Sequence, residues 1–147
     1  MTMFTLYKLL ILGGLLMTTK NAIATSVQVE INGIDPKRPG QIMVMLFEDN
    51  GFPVKHKSAL QTQFHSPTAE SLSVEFKTTQ AEFAIKVLHD EDNSQTTSKN
   101  WTGIIPSEGL GFSNGAKISW RGPPKFKDAK LSLTDLSSPI SISVNYP

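Results

Sequence analysis

From Val27 onward the chain alternates apolar and polar residues at a period of two. Val27, Val29 and Ile31 alternate with Gln28, Glu30 and Asn32, and Leu72, Val74 and Phe76 with Ser73, Glu75 and Lys77. Phe83, Ile85 and Val87 form a third such run, Ile140, Ile142, Val144 and Tyr146 a fourth, and Ala129, Leu131 and Leu133 a shorter one. Successive side chains of a strand point to opposite faces, so this rhythm predicts strands with one buried and one wet face. Ile42–Phe47 (IMVMLF) is apolar at every position. It is too short for a buried helix and reads as a central strand covered on both sides. Ile118 and Trp120 suggest one more short strand before the breaker Gly122-Pro123-Pro124. No segment sustains a helical period, and the intervening Gly33–Gly40 and Asp49-Asn50-Gly51 carry turn chemistry. The expected fold is all-β, a sandwich of two antiparallel sheets.

Residues 90–115 interrupt the rhythm, a stretch of 26 without a strand pattern. Loops of that length in compact domains are functional or disordered as a rule. This one holds Trp101, Ile104, Ile105, Leu110 and Phe112, more large apolar residues than a disordered segment carries. It is expected to order itself by burying Ile104, Leu110 and Phe112, with Asp90, Asp92 and Glu108 near the surface.

The first 24 residues have a different character. Lys8 precedes an uncharged apolar run, Leu9–Met17, followed by a polar stretch and Ala22-Ile23-Ala24. A positive start, apolar centre and small-x-small exit is the pattern of a secretory signal peptide. A spanning helix needs roughly 20 apolar residues. The expectation is cleavage after Ala24, leaving 25–147 as one β-sandwich domain, periplasmic or secreted. Of the 14 Lys and Arg residues, Lys8 and Lys20 precede that point, as none of the 13 acidic residues does, so the remaining charge is 12 − 13 = −1. A near-neutral domain has no global field for nucleic acid, and Lys125, Lys127 and Lys130 read as a solvated face. The chain has no cysteine, which removes disulfides, thiol nucleophiles and zinc-thiolate sites.

The residues around the long segment also resemble a known family. His89-Asp90-Glu91-Asp92, Gly103-Ile104, Pro106-Ser107-Glu108, Gly109–Asn114 (GLGFSN) and the later Pro123-Pro124 look like DUF2141, a family of exported bacterial proteins. The resemblance runs from about Val27 to Tyr146. It implies a small transthyretin-like or immunoglobulin-like sandwich and no established activity. Family members follow His-Asp-Glu with an Asn-Gly-Asn-Gly run that resembles a calcium loop, in which oxygen ligands alternate and Gly makes the sharp turn. Here Asp90, Asp92 and Ser94 keep the alternation, Gln95 replaces the turn Gly, and the later Asp falls at Ser98. This is a degenerate calcium-like loop, so the expectation is no cofactor and little effect of calcium.

Other chemistry is weighed against its setting. Gly111-Phe112-Ser113-Asn114-Gly115 matches the G-x-S-x-G elbow of hydrolases, but that elbow joins a strand to a helix in a large α/β sheet. Ser113 and Asn114 are therefore expected to bond loop backbone. His56, His65 and His89 show no metal-ligand spacing; His89, at a strand end, is expected to anchor the long loop. Trp101 and Trp120 read as core residues, with a sugar-stacking platform as the alternative. Asn100-Trp101-Thr102 has the form of a glycosylation sequon. Two functions follow. One is a non-enzymatic exported module that binds a protein, glycan or envelope component through the 90–115 loop, with Asp90, Asp92, Trp101, Glu108, Ser113 and Asn114 as candidate contacts. The other is a small carboxylate-based or metal-assisted hydrolase using Asp90, Asp92 and Glu108. The separation of Glu108 from the two aspartates discriminates between them.

Overall fold

The structure is a computed structural model that describes residues 22–136 and 139–147. The expected leader lies outside the described residues up to position 21. In chain order the strands are β1 (Thr25–Asn32), β2 (Gln41–Phe47), β3 (Gln61–His65), β4 (Ser71–Thr78), β5 (Glu82–Asp90), β6 (Gly109–Phe112), β7 (Leu131–Ser132) and β8 (Ile140–Ser143), with one helical turn, α1 (Phe126–Ala129). They form two packed sheets, as the alternation predicts. One has the order β4-β1-β8; the other has the order β3-β2-β5-β6, with β7 pairing the start of β5. The pairing is antiparallel except between β1 and β8, which run parallel. A parallel pair needs a long crossover, and here all of the chain from β2 to β7 supplies it. No described helix is long and apolar enough to cross a membrane.

The main core lies between the sheets. It joins Val27, Val29 and Ile31 of β1 to Ile42, Val44 and Leu46 of β2, Phe83, Ile85 and Val87 of β5, and Ile140 and Ile142 of β8. A second apolar layer covers the outer face of the larger sheet. Met43, Met45 and Phe47, the other face of β2, pack there with Ala84, Leu88, Leu110, Phe112 and Ala129. Phe52 sits at its centre, edge-on to Phe47, Phe112 and Phe126 at 5.6, 6.2 and 6.0 Å. This layer is why β2 is apolar at every position from Ile42 to Phe47.

The elements depart from the sequence reading at four places. β3 is polar (QTQFH), yet it pairs with β2, and the Nε2 groups of Gln61 and Gln63 donate to the Lys77 and Glu75 carbonyls of β4 at 2.8 and 2.7 Å. Its polar residues thus fasten one sheet to the edge of the other. β6 lies inside the stretch read as a loop. Its sequence, GLGF, hides it because a Cβ on Gly109 would stand 2.4 Å from the Tyr146 ring and one on Gly111 2.7 Å from the Ser143 carbonyl; close backbone approach demands glycine there. The short run 129–133 is divided between α1 and β7. Ile118 and Trp120 form no strand: Ser119 and Gly122 bridge in a tight turn, with Gly122 at φ 108°.

Candidate functional site

The long loop has a base and a tip, and they differ in kind. The base follows from β-sheet register. Because His89 of β5 faces Gly109 of β6, the residues just beyond, Asp90 and Glu108, are brought together where the strands part. Asp92 folds back to join them, and the ligand-capable atoms of the three carboxylates lie within 4.8 Å of one another. Asp90 and Glu108 are buried and Asp92 is exposed, so the expectation that all three sit near the surface fails for the first two.

Backbone and side-chain donors offset the charge. Asp90 accepts from the Ser94 and Gln95 amides at 2.9 and 3.0 Å and from Gln41 Nε2 at 3.0 Å. Asp92 accepts from the Ser94 amide at 3.1 Å and Ser98 Oγ at 2.6 Å. Glu108 accepts from the Glu91 and Ser98 amides at 3.0 and 2.8 Å. Every oxygen of the three groups has a protein donor. Bonding to Ser94 and Ser98 holds the Asp92 carboxyl well below the usual range. Burial, with the charges of Asp92 and Asp90 adding, pushes Glu108 up against the pull of the two amides. Gln95 takes φ 59°, a left-handed conformation that suits glycine, and Asn93 takes φ 54°. In donor chemistry Asp90, Asp92, Glu108 and the Ser94 hydroxyl are hard oxygens of the kind calcium takes, but calcium takes about 6–8 of them.

The remaining polar candidates hold the scaffold. His89 bonds Tyr146 Oη through Nδ1 at 2.7 Å and the Pro39 carbonyl through Nε2 at 3.0 Å. It therefore ties the sandwich to Tyr146 and to the 33–40 turn, not to the long loop, because both ring nitrogens are taken by those partners. Ser113 is buried; its hydroxyl donates to the Ala129 carbonyl at 2.6 Å and accepts from the Ile85 amide at 2.9 Å. Asn114 donates to the Asp128 carbonyl at 3.1 Å. Both bond backbone as expected, and neither lines the cleft described next.

The tip presents apolar groups to solvent. It is self-supported: Ser107 and Asn100 donate backbone bonds to Ser98 and Ile105 at 3.0 and 2.7 Å, and Lys99 bridges Pro106. Leu110 and Phe112 are buried as parts of β6, but Ile104 is 78% exposed, Trp101 96% and Trp120 88%. The readings of Ile104 as inward-facing and of both tryptophans as core are thus overturned. The loop orders itself by hydrogen bonds at its base, which frees the tip from having to bury its side chains. Between the tip and the 118–123 turn lies a cleft of about 470 Å³, walled by Val54, Ile104, Ile105, Ile118 and Trp120. The Arg121 guanidinium stacks on the Trp120 ring, 4.7 Å from its centre.

Lys86, which the sequence reading passed over, belongs to the lining of this cleft. It stands on the outer face of β5 and is buried. Its Nζ bonds the Pro53 carbonyl at 3.0 Å, His56 Nε2 at 2.8 Å and Thr97 Oγ1 at 2.8 Å. His56 Nδ1 bonds the Gln95 carbonyl at 2.8 Å, so Nδ1 carries the hydrogen and Nε2 accepts from Lys86. Burial pushes the Lys86 amine down to about 7, with Glu108 opposing. Burial and the Lys86 charge both lower His56. A signal existed in the sequence: Ala84 and Leu88, which share the face of Lys86, are both apolar, so this face was not wholly wet.

Residues 29–141 match the family DUF2141, described as an uncharacterized protein conserved in bacteria. No curated protein and no solved structure matches the chain.

Proposed function

Because the chain belongs to the DUF2141 family, whose description assigns no activity, we propose a function from the site alone: an exported, non-enzymatic module that binds a ligand with an apolar body in the cleft beside the 91–108 loop. One observation carries this reading. Of the nine large hydrophobics exposed among the described residues, five (Val54, Ile104, Ile105, Ile118 and Trp120) line this one cleft. Clustering of exposed apolar side chains, as opposed to their scattered occurrence, marks binding surfaces. The volume falls in the range of small-molecule sites, roughly 300–1,000 Å³. The test is a titration with the neutral probe decanol, using Trp101→Phe protein so that Trp120 reports. Blue-shifted, saturable Trp120 emission that is lost in Ile104→Asp supports the cleft; no change up to the solubility of decanol refutes it. Export rests on the leader pattern and on β1 beginning at Thr25, directly after the expected cleavage point. Mass spectrometry of the native protein should find Thr25 at its N-terminus.

A second reading, metal-assisted hydrolysis, is favoured by the convergence of Asp90, Asp92 and Glu108. Against it, an ion would have to compete with donors already bound to every carboxylate oxygen. Melting curves in millimolar calcium and in chelator should nearly coincide. A site filled at 100-fold over its dissociation constant adds about 2.7 kcal/mol. A rise of several degrees, abolished by Asp90→Asn with Asp92→Asn, would establish the metal site instead.

A further inference from the structure

We propose that the ligand of the cleft is an amphiphilic anion, a small carboxylate with an apolar body, recognised through the Thr97 hydroxyl backed by Lys86. This rests on the cleft being the binding site and adds the chemical class. The cleft is lined by two lysines, Lys86 and Lys99, and by no Asp or Glu. Arg121, stacked on Trp120, adds a third cation at the same wall. Among the described residues Lys86 forms no ion pair, since the pairs present use Arg38 and Lys130. The charge of Glu108 acts on Lys86, but its oxygens bond the Glu91 and Ser98 amides and not the ammonium, so an anion in the cleft supplies compensation that the three neutral acceptors of Lys86 do not.

The route by which the charge reaches a ligand is a hydrogen-bond chain. The Lys86 ammonium donates to Pro53, His56 and Thr97, which uses its three protons. Thr97 Oγ1, having accepted from Lys86, keeps its own hydrogen, and that hydrogen has no acceptor among the described residues. Thr97 lines the cleft and is partly exposed. A hydroxyl polarised by an ammonium behind it is a stronger donor than a free one, and a carboxylate is the acceptor that gains most from it. The apolar walls then take the body of the ligand.

The test compares three probes of one chain length below their micellar concentrations, at about pH 6, where Lys86 holds its proton and a carboxylic acid is ionised: decanoate, decanol and decyltrimethylammonium. Trp120 emission in Trp101→Phe protein reports binding. Decanoate is expected to bind about tenfold or more tighter than decanol, as one bond to a charged group supplies, with the cationic probe weakest. In Thr97→Val, which removes the relaying hydroxyl and with it one of the three acceptors of Lys86, the preference for decanoate over decanol should fall to about threefold or less, whereas Thr97→Ser, which keeps the hydroxyl, should retain it. Phe64→Ser, on β3 and outside the cleft lining, should leave the preference unchanged. Equal binding of decanoate and decanol would overturn the anion inference while leaving the apolar cleft standing. Binding of none of the three would overturn both.

Discussion

The base and the tip of the 91–108 loop are a few residues apart and obey opposite rules. At the base, three carboxylates are gathered and every oxygen is matched to a donor. At the tip, Trp101, Ile104 and Ile105 are left in water although the fold already has a second apolar layer that could have received side chains of that kind. The hydrogen bonds of the base offset the mutual repulsion of its carboxylates. The tip has no such compensation, because folding gains nothing from holding large apolar groups in solvent. On the function we propose, the acidic cluster, which looks more like a catalytic centre, serves structure, and the apolar cleft is where an unmet interaction remains.

The contrast can be broken by substitution. The largest effect is expected for Asp90→Ala, which strands the Ser94 and Gln95 amides and Gln41 Nε2. Removing a buried, multiply bonded charge costs about 3–5 kcal/mol, and chemical denaturation should show it. Next comes the pH dependence of Lys86. Its folded amine lies near 7 and its ordinary value is 10.5. Between those values the unfolded chain holds more protons than the folded one, so stability should rise with pH from neutrality toward 10, by an amount on the order of a few kcal/mol at most. Below about pH 7 both states are protonated there and this dependence vanishes. His56, also lowered, contributes the same sign on the acid side of its ordinary value of 6.5. In Lys86→Met the alkaline rise in Tm should be absent; its persistence would assign the effect to other groups. A smaller effect is expected at Gln95, whose φ of 59° strains a non-glycine residue. Gln95→Gly should stabilise the protein by up to about 1 kcal/mol by relieving that strain. Smallest of all, Trp101→Ala and Ile104→Ala should each change stability by no more than about 0.5 kcal/mol. A loss of 2 kcal/mol or more at either would show that the tip is packed after all and end the contrast.

The sandwich was legible because alternation reports burial directly. β1, β2, β4, β5 and β8 each follow from their own side chains, and Val44, in the strand expected to be covered on both sides, is 0% exposed. β3 was hidden because its stabilisation comes from main-chain pairing and from glutamine side chains bonded to another strand's carbonyls. β6 was hidden because glycines forced by Tyr146 and Ser143 erase its pattern. The acidic base was half legible. The residue types were named, but their convergence depends on the His89–Gly109 register, which no local pattern reveals. Lys86 was passed over because a lysine in an alternating strand reads as a wet-face residue, and only the outer layer contributed by residues 52–59 and α1 shows that this face is covered. The exposure of Trp101 and Trp120 was misread because composition states how much apolar surface a loop has but not which part its hydrogen bonds permit it to leave outside.

The most direct test is a calorimetric titration of decanoate into Trp120→Ala protein, run beside a melting curve of the same sample. Trp120 is 88% exposed and walls the cleft, so its truncation should leave Tm within about a degree of wild type while weakening decanoate by about tenfold or more, as removal of a binding-site aromatic does. Wild-type affinity in a Trp120→Ala protein of unchanged stability would contradict the cleft as the binding site.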